Sequence, residues 1–220
     1  MWNSGSEIFY DQCVASATNI KFDGLELHWL PEISAAFTSY KASPNMQASM
    51  HRAMGEYHLE FDRVYPCETT KNHPIQFNWY LSKKTSNITE FKGNTTLLIP
   101  FDDTLTVDGN LASWGSTGGW VPNAYVLNTK KACSTVKHLI GNAVLNFLEG
   151  FNIPTNKCPW PVGTYITSGI DKKKLEDMNF PKIYFYGKYK VVVRYKNLKN
   201  EVVGCVVLEF HLMRPWETPI

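Results

Sequence analysis

Between Ile75 and Ser82 the chain alternates without a break. Ile75, Phe77, Trp79 and Leu81 are apolar, and Gln76, Asn78, Tyr80 and Ser82 fall between them. Period two places the first set on one face of a strand, and that face must be buried against a second layer. Tyr57, Leu59, Phe61 and Tyr65 repeat the pattern against His58, Glu60 and Asp62, and residues 95–101 are rich in β-formers until Pro100. Near the C-terminus, residues 184–195 and 202–212 are β-branched and aromatic, and Asn197-Leu198-Lys199-Asn200 joins them. That arrangement predicts a hairpin over about 184–212. One segment has helical spacing: Val136, Leu139, Ile140, Ala143, Val144, Phe147, Leu148 and Phe151 recur at three- and four-residue steps, with Pro154 beyond them and Ser134 placed to cap. It predicts one amphipathic helix over about 134–151, packed on the sheet, because its polar face lacks the Lys/Arg richness of an interfacial helix. No repeat period or linker divides the chain, so residues 1–220 are expected to form a single all-β domain, an antiparallel sandwich with one principal helix.

Charge and hydropathy exclude two classes of function. Lys and Arg total 22 against 20 Asp and Glu, with no basic block to follow a phosphate backbone, so nucleic acid is not an expected partner. No run of 18 apolar residues is present, and the opening Met-Trp-Asn-Ser-Gly-Ser has no basic and apolar signal pattern. A secreted form would therefore be a mature or trimmed chain. The cysteines, Cys13, Cys67, Cys133, Cys158 and Cys205, form no Cys-x-x-Cys pair and have no histidine at zinc spacing. Two sequons within eight residues, at Asn87 and Asn94, shift the reading from buried thiols toward a glycosylated surface in an oxidising compartment. Five cysteines leave at least one over, free or paired between chains.

Catalytic signatures are absent from the sequence: no Gly-x-Ser-x-Gly, His-Glu-x-x-His, P-loop or dinucleotide fingerprint occurs. Asp102-Asp103 reads as a solvated turn, and the six histidines share no ligand spacing. His51 and His58, with Met46, Met50 and Met54, read as the packed face of a short helix. Cys67 near His73 lacks a group to orient a base. The expectation is a protein that is not an enzyme, with no metal and no cofactor. What stands out is the aromatic content: seven Trp, eleven Tyr and twelve Phe, with Trp114, Trp120, Trp160 and Trp216 beside Gly or Pro. Tryptophans so placed suit the mouth of a pocket or a membrane interface, or fold back onto the sheet.

From Cys158 onward the chain resembles the ganglioside activator proteins, the sphingolipid activators of the ML-type lipid-recognition superfamily, and their insect secreted CheB-type chemosensory relatives. The resemblance rests on Cys158-Pro159 followed by Gly163-Thr164-Tyr165, on the apolar loop with Phe180-Pro181, and on Val203-Gly204-Cys205 in the C-terminal hairpin. Phe9-Tyr10-Asp11-Gln12-Cys13 matches the family's opening, and Cys133 opens the helix that precedes Cys158. It covers residues 130–214 well and the N-terminal half only by strand rhythm and Cys13. The resemblance implies an immunoglobulin-like β-cup around an apolar cavity, with Cys13–Cys205 and Cys133–Cys158 as disulfides. The helical cysteine pair of the activators is missing here. Cys67 has no counterpart and is left free or for a disulfide-linked dimer.

The implied function is physical: the cup shelters acyl chains, each buried methylene contributing about 0.8 kcal/mol, and passes lipid at its mouth. The expected partner is a lipid or other hydrophobic small molecule, with transient membrane-surface contact. By position, the cavity and rim fall on Trp79, Trp114, Trp120, Val121, Phe147, Trp160, Leu175, Met178, Phe180, Ile183 and Tyr184. Lys172, Lys173 and Lys174 are placed for anionic headgroups, although Asp171 and Glu176 dilute them. The site of action would be extracellular or a lysosomal lumen. Two other readings stand beside this one: a carrier of a small hydrophobic signal such as a pheromone or odorant, and an interaction protein whose cup is filled by its own side chains.

Overall fold

The computed structural model describes residues 53–68 and 73–218, within a compact unit that runs from Ala48 to Ile220. The expectations placed on residues 1–47, including the motif ending at Cys13, and on Met50 and His51, lie outside the described residues. Ten strands are described: β1 Met54–Glu56, β2 His58–Pro66, β3 Ile75–Lys83, β4 Thr89–Leu97, β5 Thr106–Trp114, β6 Trp120–Lys130, β7 Gly163–Asp171, β8 Ile183–Phe185, β9 Gly187–Lys196 and β10 Val202–Met213. They form a five-stranded sheet in the order β2-β10-β9-β5-β6, a three-stranded sheet β3-β4-β7 and a small pair β1-β8. Every pairing is antiparallel. The chain is thus mostly β, as its alternation predicts. Met54 and His58 lie in strands, so the helix face expected to carry them does not include them.

The alternation of β3 survives intact: Ile75 and Phe77 are buried, and Trp79 and Leu81 pack on the same core. In β2 it does not. A register shift at Glu209/Phe210 of β10 inserts a bulge, so Leu59 and Phe61 are followed inward by Val64 rather than by Tyr65. Tyr65 turns to the outer face and donates to Glu209 Oε1 at 2.8 Å. Burial, and then that bond, push its hydroxyl pKa up to about 12. The C-terminal hairpin forms β9 and β10, joined through Asn197 and the left-handed Asn200. Its expected first residues separate off as β8, paired to β1.

The expected single helix is broken. Helix α1 spans Ala132–Ile140, a 3-10 turn covers Gly141–Ala143, and α2 spans Val144–Gly150. The break falls at Gly141, where φ is +59° and a Cβ would sit 2.8 Å from the backbone nitrogen of Asn179. A glycine is required there. Helix α1 lies against β5 and β6 and α2 against β7, so the helical region closes the side between the edge strands β6 and β7. Strands β2 and β3 come together on the other side.

Ser134 does not cap α1. Asp103, expected as a solvated residue, accepts from Ser134 N at 2.8 Å and from Ser134 Oγ at 2.6 Å, satisfying the free donors of the first turn. Desolvation opposes ionisation of Asp103. The two Ser134 bonds, the Lys131 charge and the Cys133 N–H outweigh it and hold the carboxyl below its ordinary range. Its contribution is present above the unfolded-state pKa and is lost as pH falls through the depressed folded value. Asp103→Ala is expected to cost about 1 kcal/mol, as for loss of a helix cap. Denaturant titration at neutral pH reads that loss, and the difference from the parent should shrink in acid.

The disulfide pattern corrects one pairing. Cys67 bonds Cys205, with Cα atoms 5.6 Å apart, in place of the Cys13–Cys205 pair that the resemblance implies. The β2–β10 ladder explains it: Pro66 lies opposite Val206, so Cys67 emerges beside Cys205. Cys67 is therefore neither a free thiol nor a link to a second chain. Cys133–Cys158 forms as the resemblance implies. By loop entropy, the pair separated by 25 residues contributes about 3–4 kcal/mol and the pair separated by 138 about 5 kcal/mol. Peptide mapping without reduction should recover fragments joining Cys67 to Cys205 and Cys133 to Cys158. A fragment joining Cys13 to Cys205 would contradict this fold.

Candidate functional site

The inner faces of the two sheets meet on aromatic rings. Trp79 of β3 lies 4.7 Å from Phe77, 5.2 Å from Phe91 of β4, 5.6 Å from Phe147 of α2 and 5.9 Å from Phe151, as ring-centroid distances. Its indole N–H donates to Thr95 Oγ1 at 3.0 Å. Phe77 reaches across to Tyr195 of β9 at 5.4 Å. Phe101, Trp160 and Tyr195 close one end: Phe101 and Trp160 stack at 5.1 Å and are joined by a backbone bridge. Of the cavity residues expected from sequence, Trp79, Phe147 and Trp160 are all brought into this interior. The pattern did not single out Phe77, Phe91, Phe101, Phe151 and Tyr195. Period two in β3 and the helical period marked Phe77 and Phe151 as core, which is the one signal that pointed to them.

Trp160 carries an unusual polar atom. The residue is 5% exposed, and its Nε1–H has no acceptor among the described residues. A buried donor left unpaired costs about 1–3 kcal/mol.

The opposite end of the core lies where β7 stops and β9 begins. Residues 172–184 fold over it. Leu175 is buried, and Met178, Phe180 and Tyr184 pack on the core from the same segment. The attachments of this segment are chiefly polar. Tyr57 Oη donates to Pro181 O at 2.6 Å, Asn146 Nδ2 to Lys174 O at 3.1 Å, Asn142 Nδ2 to Asp177 Oδ2 at 3.1 Å, and Asn179 N to Leu139 O at 3.0 Å. Burial foremost, with Tyr184 nearby, pushes the Tyr57 hydroxyl up to about 12, so it remains a donor at physiological pH. The segment is an apolar plug held by a polar clasp.

The lysine run divides here. Lys172 turns inward, pairing with Glu60 and reaching Phe61 O, while Lys173 and Lys174 stay exposed. Lys172 is thus committed to the clasp and does not offer its charge to a headgroup. Burial lowers its pKa, partly offset by Glu176, and Lys173 adds to the lowering.

Trp114 and Trp120 are not part of this interior. They face each other across the β5–β6 hairpin tip, 5.0 Å apart and edge-to-face, on the outer side of the five-stranded sheet. Lys188 lies 5.8 and 5.7 Å from the two rings and Lys190 lies 4.6 Å from Trp120. Lys188 also approaches Glu209 at 3.8 Å and Asp62 at 4.0 Å. Trp114, Val121 and Ile183 are about half exposed at this end of the molecule. Two concavities, of about 500 and 400 Å³, lie on the outer face of β3-β4-β7 and beside α2, and both open to solvent. Asp103, Cys133 and Cys158 lie close together, but the two cysteines are spent in a disulfide, so the group is no metal centre. The chain matches no protein-family model and no curated protein.

Glu176 is the titratable group of this segment on which burial acts most. It is half-buried, its Oε1 has no partner among the described residues, and burial raises its pKa against the opposing pull of Lys172 and Lys173. A carboxyl whose folded pKa is raised favours the folded segment below the unfolded value and loses that advantage as pH rises through the folded value. The protection factors of residues 172–184, after correction for the intrinsic pH dependence of amide exchange, should rise as pH is lowered into that window. Glu176→Gln should flatten that rise in protection.

Proposed function

We propose that the protein binds a lipid or another elongated hydrophobic molecule between its two sheets and carries out no covalent chemistry on it. The observation that carries this reading is the plug. Leu175, Met178, Phe180 and Tyr184 cover one end of the core with apolar side chains, on a segment tied down by scattered hydrogen bonds, the Lys172–Glu60 pair and the short β1–β8 ladder. Such a segment can swing out and let an acyl chain take over its apolar contacts, at about 25 cal/mol per Å² of surface transferred from water. The unpaired N–H of Trp160 offers a donor to a carboxyl or hydroxyl that reaches the far end. The resemblance to the ganglioside activators supports the same reading. The hairpin tip, with Trp114 and Val121 exposed beside the partly buried Trp120 and near Lys188 and Lys190, supports transient contact with a membrane surface, since indoles and lysines share the interfacial zone.

Two disulfides are formed, and among the described residues no helix is long and apolar enough to cross a membrane. With the sequons at Asn87 and Asn94, these support a secreted glycoprotein, or one delivered to a lysosomal lumen. A second reading, an interaction protein with a filled core, is favoured by the ring lattice around Trp79, which occupies the space between the sheets.

Native mass spectrometry of protein secreted from eukaryotic cells, repeated after organic extraction, separates the two. The expected result is a co-purifying lipid or fatty acid of defined mass, and faster uptake of a fluorescent fatty acid by Phe180→Ala. A clean apo mass with no uptake on adding lipid would sink the proposal and leave the filled-core reading.

A further inference from the structure

We propose that Asn94 carries an N-linked glycan whose first sugars lie in the concavity on the outer face of the three-stranded sheet, covering the apolar side chains exposed there. The proposal rests on the reading of this chain as a secretory-pathway protein. It separates the two sequons, which the sequence alone leaves equivalent.

Asn94 is at the centre of β4, directly opposite Asn78 of β3 and Ile166 of β7, with Tyr80 one diagonal step away opposite Lys92. Side chains so related stand roughly 5–8 Å apart, within the span of one or two sugar rings. Tyr80 is 53% exposed and Ile166 is 64% exposed. A ring and a branched aliphatic chain left in water on one sheet face form a patch that usually finds a cover. The concavity of about 500 Å³ at this place is lined by Asn94 itself and by Tyr80, Ile166, Asn78 and Thr167. Gly93, with φ +127°, also lines it, and the backbones of β3 and β4 come close together there. A Cβ there would lie 1.9 Å from Asn78 O.

The amide is presented for attachment. Asn94 Oδ1 accepts from Asn78 Nδ2 at 3.0 Å, which fixes the side chain and leaves its own Nδ2 as the substituted atom. Thr95, the middle residue of the sequon, is buried and bonded to Trp79, so alternation sends Asn94 and Thr96 to the outer face. The transfer is an ordinary substitution from a polyprenyl-pyrophosphate-linked oligosaccharide. The Asn94 Nδ2–C1 bond forms, the C1–O bond to the pyrophosphate breaks, the lipid pyrophosphate leaves and the amide loses one proton. Asn87 differs. It stands at the exposed β3–β4 turn, where Thr85 Oγ1 accepts from the N–H groups of Asn87 at 3.3 Å and Ile88 at 3.1 Å. A glycan at that turn points into solvent.

Site-resolved glycopeptide mass spectrometry on protein secreted from glycosylating cells tests occupancy, and thermal unfolding after enzymatic deglycosylation of the folded protein tests the cover. Expected are a modified Asn94, a fall in Tm of roughly 2–4 °C on complete removal, and little change when the glycan is trimmed to its first sugar. Replacing Tyr80 and Ile166 by serine should keep Asn94 modified but abolish the fall. Should that protein fail to accumulate, Tyr80→Ser alone carries the comparison. An unmodified Asn94 in secreted protein, an unchanged Tm, or an equal fall in the serine variant would each overturn the proposal. Lipid uptake measured on the same preparations reports separately on the binding function, so the two readings fail independently.

Discussion

The indole of Trp79 is where the layers of this molecule meet. Its ring is packed by Phe77 and Phe91 from its own sheet and by Phe147 and Phe151 from the helical wall, and its N–H is satisfied by Thr95. Through Phe77 the contact extends to Tyr195 and the five-stranded sheet. Edge-to-face and tilted ring pairs are each worth about 0.5–1.5 kcal/mol beyond their buried area. The lattice therefore sets the spacing of the sheets as well as filling it.

The two ends of the sandwich are built from different materials. The far end is locked by the Phe101–Trp160 stack and by both disulfides. The other end is closed by side chains and hydrogen bonds, with Lys172–Glu60 as its ion pair and the half-buried Glu176 beside it. Local opening is drawn from the less cross-linked end of a fold.

Much of this architecture was legible in the residues, and the failures have physical causes. β3 is plain because its alternation runs through a ladder with no bulge, and the C-terminal hairpin because its two runs are β-branched and aromatic around a short polar turn. β5 was missed because Gly109, Ala112 and Ser113 blunt its pattern, and β6 because Pro122 and the left-handed Asn123 interrupt it. The helix break at Gly141 depends on Asn179, which sequence spacing cannot place. Lys172 read as one of three equivalent lysines until Glu60, 112 residues away, took its charge. Trp114 and Trp120 were recognised as a pair beside glycines, but which side of the sheet they face is decided by the register shift between Leu111 and Ser113. The Cys67–Cys205 bond follows from ladder register, a long-range property, whereas Cys133–Cys158 closes a short loop.

The placement of the cross-links has a bearing on how the molecule would age outside the cell. A protease that cut the exposed plug near Asn179 would divide the chain into an N-terminal and a C-terminal piece. Cys67 lies in the first piece and Cys205 in the second. The nicked molecule would keep its mass until a reductant reached the outer face of β10, and its two sheets would stay in register around Trp79. A cut in this segment would loosen the end of the core it covers while the disulfide keeps the two pieces joined.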